Sequence, residues 1–306
     1  MPVAAIDIGT NTTRLIVAEV AGSSIEELER RTVITRLGEG VDESGVLSAA
    51  GIERVHETLS DYREIVERLG ASPALVVATS AVRDASNGGE FLSAIEQQFG
   101  FKVRLLSGSE EALLAFRGAT LGRSLMRSVL VVDIGGGSTE LVLGDAGGPS
   151  FHISLDIGAV RLTERHLHSD PPSPAELDNC AAVVRDLLIE RIPAGVLHAP
   201  TTAIGNAGTI TTIAALDQSL PEYDRDRVHG YMVTRRAVHE QLTRLAALPL
   251  SERRQVPALE PDRAPVIVAG AIVCSELLDA FALDEIEASE LDILDGAALL
   301  ASELGS

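Results

Sequence analysis

Asp7-Ile8-Gly9-Thr10-Asn11-Thr12-Thr13-Arg14-Leu15-Ile16-Val17 is repeated farther along the chain as Asp133-Ile134-Gly135-Gly136-Gly137-Ser138-Thr139-Glu140-Leu141-Val142-Leu143. Asp, Ile, Gly, Thr and Leu match outright, Thr12 pairs with Ser138, and no gap is needed. One apolar run entering an Asp-x-Gly turn is a common accident. An ungapped match across a strand, its turn and the returning strand implies a duplicated domain. In each copy an apolar run (3–8, 129–133) enters a Gly-rich turn and comes back as a second run (12–20, 139–143), the pattern of a hairpin. Third strands are expected at 33–37 and 151–156.

Outward from the hairpins, strand and helix periods alternate. The first half reads as helix 49–69, strand 74–78, helix 89–99, strand 102–106 and helix 110–121. The second reads as helices 159–166 and 174–191, strand 201–204, a Gly-rich turn and helix 210–216, then helices 234–246 and 264–280, strand 285–288 and helix 293–302. Such alternation implies an α/β protein with sheets packed between helices. At 306 residues the chain exceeds the reach of one core, so two domains are expected. The first spans 1–123 and is completed by the C-terminal helix, 293–306; the second spans 124–292; a cleft lies between them.

Composition removes several classes. A net charge of −20 repels nucleic acid and anionic membranes at long range, so a polyanionic substrate needs a locally positive site. The apolar run at 264–274 is far shorter than the ~20 residues of a membrane span and contains Pro265 and Gly270. No basic leader precedes the first strand pattern, which implies a cytoplasmic protein. Cys180 and Cys274 stand far apart and outside any C-x-x-C, so reduced thiols are expected rather than a disulfide or zinc site.

The chemistry sits at the turns. A strand that ends in Asp and enters a Gly-rich hairpin presents backbone N–H groups to one concavity, and such nests attract phosphate. Gly9, Gly135, Gly136 and Gly137 permit the approach, and Thr10, Asn11, Ser138 and Thr139 add donors. Asp7 and Asp133 are placed to hold a divalent cation against the phosphates. Gly205-Asn206-Ala207-Gly208-Thr209-Ile210 reads as a strand-to-helix loop whose amides cradle a second phosphate, or as an ordinary glycine loop; no Gly-Lys-Ser/Thr follows, so it is not a P-loop. Ser109 can cap the helix that carries Glu110 and Glu111, where acidic side chains favour the macrodipole. Glu140 replaces Arg14 of the first copy, where a carboxylate could orient or deprotonate a water. Arg83 follows a buried strand, and it and Arg14 read equally as phosphate ligands or as ion-pair members.

These residues closely resemble the exopolyphosphatase and guanosine pentaphosphate phosphohydrolase family (Ppx/GppA), in a short two-domain form. The resemblance rests on Asp7 through Leu15, Ala78-Thr79-Ser80-Ala81-Val82-Arg83, Ser107-Gly108-Ser109-Glu110-Glu111-Ala112 and Asp133 through Glu140. It implies two ribonuclease-H-like domains of the actin, sugar-kinase and heat-shock ATPase superfamily with an interdomain cleft. It further implies a metal-assisted attack of water on a terminal phosphorus. Glu111 resembles the family's catalytic glutamate and Glu140 its companion; Asp133 and Glu140 resemble positions for Mg2+ or Mn2+. The two hairpins, with Gly208 and Thr209, would hold successive phosphates. Larger relatives carry a helical extension beyond these two domains, which turns the expectation here toward short polyphosphate unless a homodimer lengthens the groove.

Three other readings stay open: guanosine pentaphosphate 5′-phosphohydrolase, a kinase, and a non-catalytic phosphate or nucleotide sensor. The presence of both Glu111 and Glu140 argues against the sensor.

Overall fold

In the computed structural model, which describes residues 1–22 and 24–305, the chain divides into two compact units, Met1–Arg123 with Leu291–Ser306, and Ser124–Glu290. Ser23, within the expected first domain, and Ser306, at the end of the expected 293–306 helix, lie outside the described residues. The first unit begins β1 (Val3–Ile8), β2 (Thr12–Ala21), β3 (Ser24–Ile34), α1 (Val41–Ser44) and α2 (Ala49–Leu69). It continues through β4 (Ala74–Ala78), α3 (Ser80–Asp84), α4 (Gly88–Phe99), β5 (Lys102–Leu105) and α5 (Gly108–Ala119). The second unit opens with β6 (Val129–Ile134), β7 (Thr139–Asp145), β8 (Gly148–Leu155), α6 (Ala159–His166), α7 (Pro174–Arg191) and α8 (Ala194–Leu197). There follow β9 (Thr202–Asn206), α9 (Ala207–Asp217), α10 (Arg225–Val228), β10 (Met232–Thr234), α11 (Arg235–Ala246), α12 (Leu250–Arg253), α13 (Ile267–Ala280) and β11 (Glu285–Ala288). The chain then returns to the first unit as α14 (Ile293–Leu304).

The first sheet has the order β3-β2-β1-β4-β5, antiparallel through β1, β2 and β3 and parallel through β1, β4 and β5. Alternation along β1 divides its side chains between two cores. Ala4, Ile6 and Ile8 pack with Val55, Leu59 and Ile95 of α2 and α4, whereas Val3 and Ala5 pack with Leu114, Leu294 and Ala298 of α5 and α14. Asp7 continues the Val3–Ala5 series. The period of the strand therefore delivers one carboxylate to the α5/α14 face at the strand's C-terminal end.

Helices α5 and α14 approach each other backbone to backbone at two glycines. A Cβ on Gly118 would stand 1.7 Å from the Asp292 carbonyl oxygen, and one on Gly296 would stand 2.1 Å from the Leu114 carbonyl oxygen. Neither neighbour is a flexible side chain that could swing aside. Gly118→Ala is therefore expected to destabilise the protein by about 1–3 kcal/mol through overpacking. A urea midpoint unchanged from the wild type would contradict this crossing.

The second sheet, β10-β11-β9-β6-β7-β8, repeats the first read from its other edge, with β10 added outside β11. The repeat extends to the register. Asp7 lies opposite Arg14 and Asp133 opposite Glu140, and the turns close with Gly9 N–H to the Thr12 carbonyl (2.9 Å) and Gly135 N–H to the Ser138 carbonyl (3.0 Å). One core serves this unit, with α13 buried through Ile267 to Leu278 as its central helix. A helix apolar on every face belongs inside, which fits this run.

Several elements depart from the sequence pattern. β3 occupies Ser24–Ile34 rather than 33–37: it is an edge strand rich in Glu26, Glu27, Glu29, Arg30 and Arg31, so hydrophobic periodicity cannot reveal it, and Arg36 (φ 48°) turns the chain away. α5 begins before Ser109, because Ser107 is the cap and forms a capping box with Glu110. The expected loop at Gly205–Ile210 does not exist, since β9 runs through Asn206 and α9 starts at Ala207. The short α3 and the edge strand β10 carry too few residues for a period to register. Leu291 and Asp292 go with the first unit, because Asp292 caps α14.

Candidate active site

β1, β4 and β5 run parallel, so their C-terminal ends share one edge of the first unit, the usual ligand-binding edge of an α/β sheet. Asp7 lies there, followed after β4 by Thr79 and Ser80 and after β5 by the start of α5. The hairpin tip is fixed at this edge: Thr10 and Ser80 share a buried hydroxyl contact of 2.8 Å, and Gly38 N–H donates to the Thr10 carbonyl at 2.8 Å. The Asn11 carbonyl accepts from Arg36 N–H at 3.0 Å.

The adjacent glutamates of α5 have opposite fates. Glu110 closes the capping box, accepting from Ser107 N–H (2.9 Å) and Ser107 Oγ (2.8 Å), and pairs with Arg104. Those bonds to its charged form hold it down at about 2. Glu111, one position on, points inward and is 8 % exposed. Burial pushes its carboxyl up to about 7; Arg83 and a Thr79 hydroxyl bond pull the other way, and the Asp7 charge adds to the rise. Arg83 Nη1 reaches Glu111 Oε2 at 3.1 Å and the Leu106 carbonyl at 2.9 Å. Glu110 is thus spent on the helix cap, and Glu111 is the buried carboxyl of the pair.

Arg14 is engaged with carboxylates. Its Nε and Nη2 donate to Asp7 Oδ2 at 3.0 and 2.7 Å, and its Nη1 pairs with Asp292 Oδ2. Asp292 in turn caps Leu294 N–H through Oδ1 at 2.9 Å, and Asp295 joins the array through Arg30 Nη2 at 2.6 Å. Burial pushes the Asp7 carboxyl up against the pull of Arg14. Burial acts on Asp292 in the same direction, but Arg14, Arg30 and the Leu294 amide hold it below its ordinary value. Asp7 Oδ1 is buried without a hydrogen-bond partner.

In the second unit the register places Ser154, Glu140, Asp133 and Asn206 in one row across β8, β7, β6 and β9. Ser154 Oγ donates to Glu140 Oε1 at 2.7 Å. Thus the position that holds an Asp–Arg ion pair in the first unit holds two carboxylates in the second. The α6 N-terminus braces the hairpin: Ala159 and Val160 N–H groups donate to the Gly135 and Gly136 carbonyls (2.9 and 2.8 Å), and Arg161 Nε donates to the Gly137 carbonyl at 2.7 Å. Gly158 makes the approach possible, since a Cβ there would stand 2.4 Å from the Gly136 carbonyl oxygen.

Two expected phosphate donors are buried in the packing of the unit. Thr139 is fully buried and its hydroxyl donates to the Ile157 carbonyl, which ties the hairpin to the loop before α6. Thr209 is buried against Gly270, where a Cβ would lie 2.4 Å from its Oγ1. Gly208 stands in the first turn of α9 with the Arg263 guanidinium directly against it, a Cβ there falling 1.5 Å from Nη1. Ser138 is buried beside Thr139, and Asp133 and Glu140 are both nearly inaccessible.

The sequence reading missed Ser80, Asp292, Arg263 and the Asn206 side chain. Asp292-Ile293-Leu294-Asp295 ahead of an apolar run is a readable capping signal, but nothing local announces its bond to Arg14. Likewise only the pairing of β9 with β6 sets Asn206 beside Asp133.

Two units of one topology, each with a buried aspartate one residue before the end of its first strand and a Gly-rich hairpin after it, define a fold of the actin-like ATPase class. The family follows from comparison: the model of the Ppx/GppA phosphatase family matches residues 15–300, and the chain belongs to that family. It is 40% identical over 312 residues to exopolyphosphatase 2 of Mycobacterium tuberculosis, covering 97% of both chains. Among solved structures it is similar to an exopolyphosphatase-like protein (TM-score 0.92, 34% identity, 99% of this chain and 100% of that one). It is also similar to the Aquifex aeolicus Ppx/GppA family member (TM-score 0.83, 32% identity, 99% and 97%). Among the described residues no helix is long and apolar enough to cross a membrane.

Proposed function

We propose that this chain is an exopolyphosphatase that transfers the terminal phosphoryl group of a short inorganic polyphosphate to water. The observation that carries the reading is Glu111: a buried carboxyl held at about 7 beside an arginine, at the ligand-binding edge of its sheet. A general base works best with a pKa near the operating pH. The water's proton passes to Glu111 as its oxygen bonds to the terminal phosphorus. The bridging P–O bond then breaks, leaving orthophosphate and a chain one phosphate shorter. Arg83 lies within 3.1 Å of Glu111 and supplies positive charge for the equatorial oxygens, the kind of electrostatic positioning on which phosphoryl transfer depends. The hairpin glycines Gly9, Gly135, Gly136 and Gly137, with Thr10, Asn11 and Ser138, are the parts suited to hold phosphates; Gly208 lies at a helix N-terminus suited to a further one.

A divalent cation fits the residues present. Asp133 and Glu140 stand opposite each other in register within the second unit, so these two would hold Mg2+ or Mn2+. Magnesium prefers one or two carboxylates completed by water and substrate phosphates, and such an oxygen donor set matches it. When bound, the cation would neutralise charge on the phosphates.

The test is phosphate release from short-chain polyphosphate, long-chain polyphosphate, guanosine pentaphosphate and ATP, each with magnesium. Release is expected from polyphosphate, faster from short chains. Release from guanosine pentaphosphate alone would replace the reading with the alarmone phosphohydrolase, and transfer of label from ATP to an acceptor would replace it with a kinase.

A further inference from the structure

We propose that the Asn206 side chain is a substrate-binding residue, with Nδ2 donating to a phosphoryl oxygen and Oδ1 accepting from a water that accompanies the phosphate. The proposal rests on the phosphohydrolase reading above and adds to it a residue and a mode of contact.

Asn206 has no accessible surface, yet neither Nδ2 nor Oδ1 has a hydrogen-bond partner. Buried side-chain amides are nearly always bonded, because desolvation without compensation is expensive. An amide with both ends unmet in the free protein, beside the residues that handle phosphate, has partners that arrive with the ligand. Register places it on the face of Asp133 and Glu140, one strand over from Asp133. It is also the N-cap residue of α9, an eleven-residue helix, and makes no capping bond there. The Arg263 guanidinium lies against Gly208 in the same first turn. A helix N-terminus and a guanidinium together favour an anion.

The two units supply an internal control. The residue paired with Asp7 on β4 is Val77, fully buried, whereas the residue paired with Asp133 on β9 is Asn206. The same position of the same topology accepts an apolar β-branched side chain, so the amide is not a requirement of the fold. A phosphate oxygen can only accept, which matches Nδ2; the acceptor Oδ1 then calls for a water.

The experiment uses Asn206→Val, which copies the first unit, and Asn206→Asp, which keeps the shape and exchanges the donor for charge. Three quantities are read: Tm without ligand, the Tm shift on adding tripolyphosphate, and kcat/KM for its hydrolysis. Asn206→Val is expected to melt roughly 2–10 °C higher than wild type without ligand, because an unmet amide is gone. Both variants are expected to lose most of the tripolyphosphate shift and about 10- to 100-fold in kcat/KM. Asn206→Val melting below wild type, or keeping both the shift and kcat/KM, would overturn the proposal and make the amide a structural group. If wild type shows no hydrolysis but keeps a shift that the variants lose, the function fails while the Asn206 contact stands. No shift in wild type overturns the contact itself.

Discussion

Glu111→Gln is expected to lower phosphate release by about 10²–10⁴-fold, the usual contribution of a general base, while leaving the folded protein more stable than wild type above neutral pH. The pairing of those effects follows from one cause. Burial holds the folded carboxyl at about 7 against an ordinary 4.5. Between those two values the folded state binds more protons than the unfolded one, so stability falls as pH rises through the window and the loss is complete above it. The gap corresponds to stability on the order of 3 kcal/mol, which glutamine, having no proton to lose, does not forfeit. Urea midpoints of wild type and variant should therefore converge below the ordinary carboxylate range and separate above neutrality, with the variant higher.

The rate follows the same titration with the opposite benefit. A base must be deprotonated to accept the water's proton, so kcat is expected to rise with pH through about 7 and then level. A variant less stable than wild type above neutral pH would show that the Arg83–Glu111 pair holds the fold together. A flat pH–rate profile across neutrality would remove Glu111 from the proton transfer. Retained turnover in Glu111→Gln would do so outright.

What the sequence made legible divides along the range of the forces involved. The hairpin repeat, α2, α6 and α7 were readable because alternation and helical period are local. β3 was misplaced because an edge strand lined with Glu and Arg has no apolar face to betray it. At the site, the turn glycines could be found from their spacing. The division of labour between Glu110 and Glu111 could not: it depends on which of them α5 turns inward, and hence on a helix start set by Ser107. Family resemblance selected Glu111 where the residues alone allowed a helix cap. Asp292 lies almost the whole chain away from Arg14, and no periodicity connects them.

Arg14→Met is expected to cost about 3–5 kcal/mol at neutral pH, the loss expected when one partner of a buried ion pair is removed. Methionine roughly preserves the packing of the stem, so the loss reports the guanidinium. Its removal leaves Asp7 and Asp292, 4% and 5% exposed, buried close together without their shared cation. Arg30 still serves Asp295, so the uncompensated charge concentrates on the β1 end and the α14 cap. Because Asp292 also caps α14, which packs on the helix that carries Glu111, the damage should reach the site. The sign of the pH dependence separates this account from a packing defect. In the variant the two carboxyls would be pushed above their unfolded values, so its stability should recover as pH falls through the carboxylate range and fade as pH rises toward neutrality. Wild type contains an Asp292 held below its ordinary value, a contribution present above that value and lost as pH falls. The difference in urea midpoint between the two proteins should therefore widen steadily from acid to neutral pH. An equal difference at both ends would assign the loss to packing, and Arg14→Met/Asp292→Asn no better than Arg14→Met alone would show that the buried charge on Asp292 was not its source.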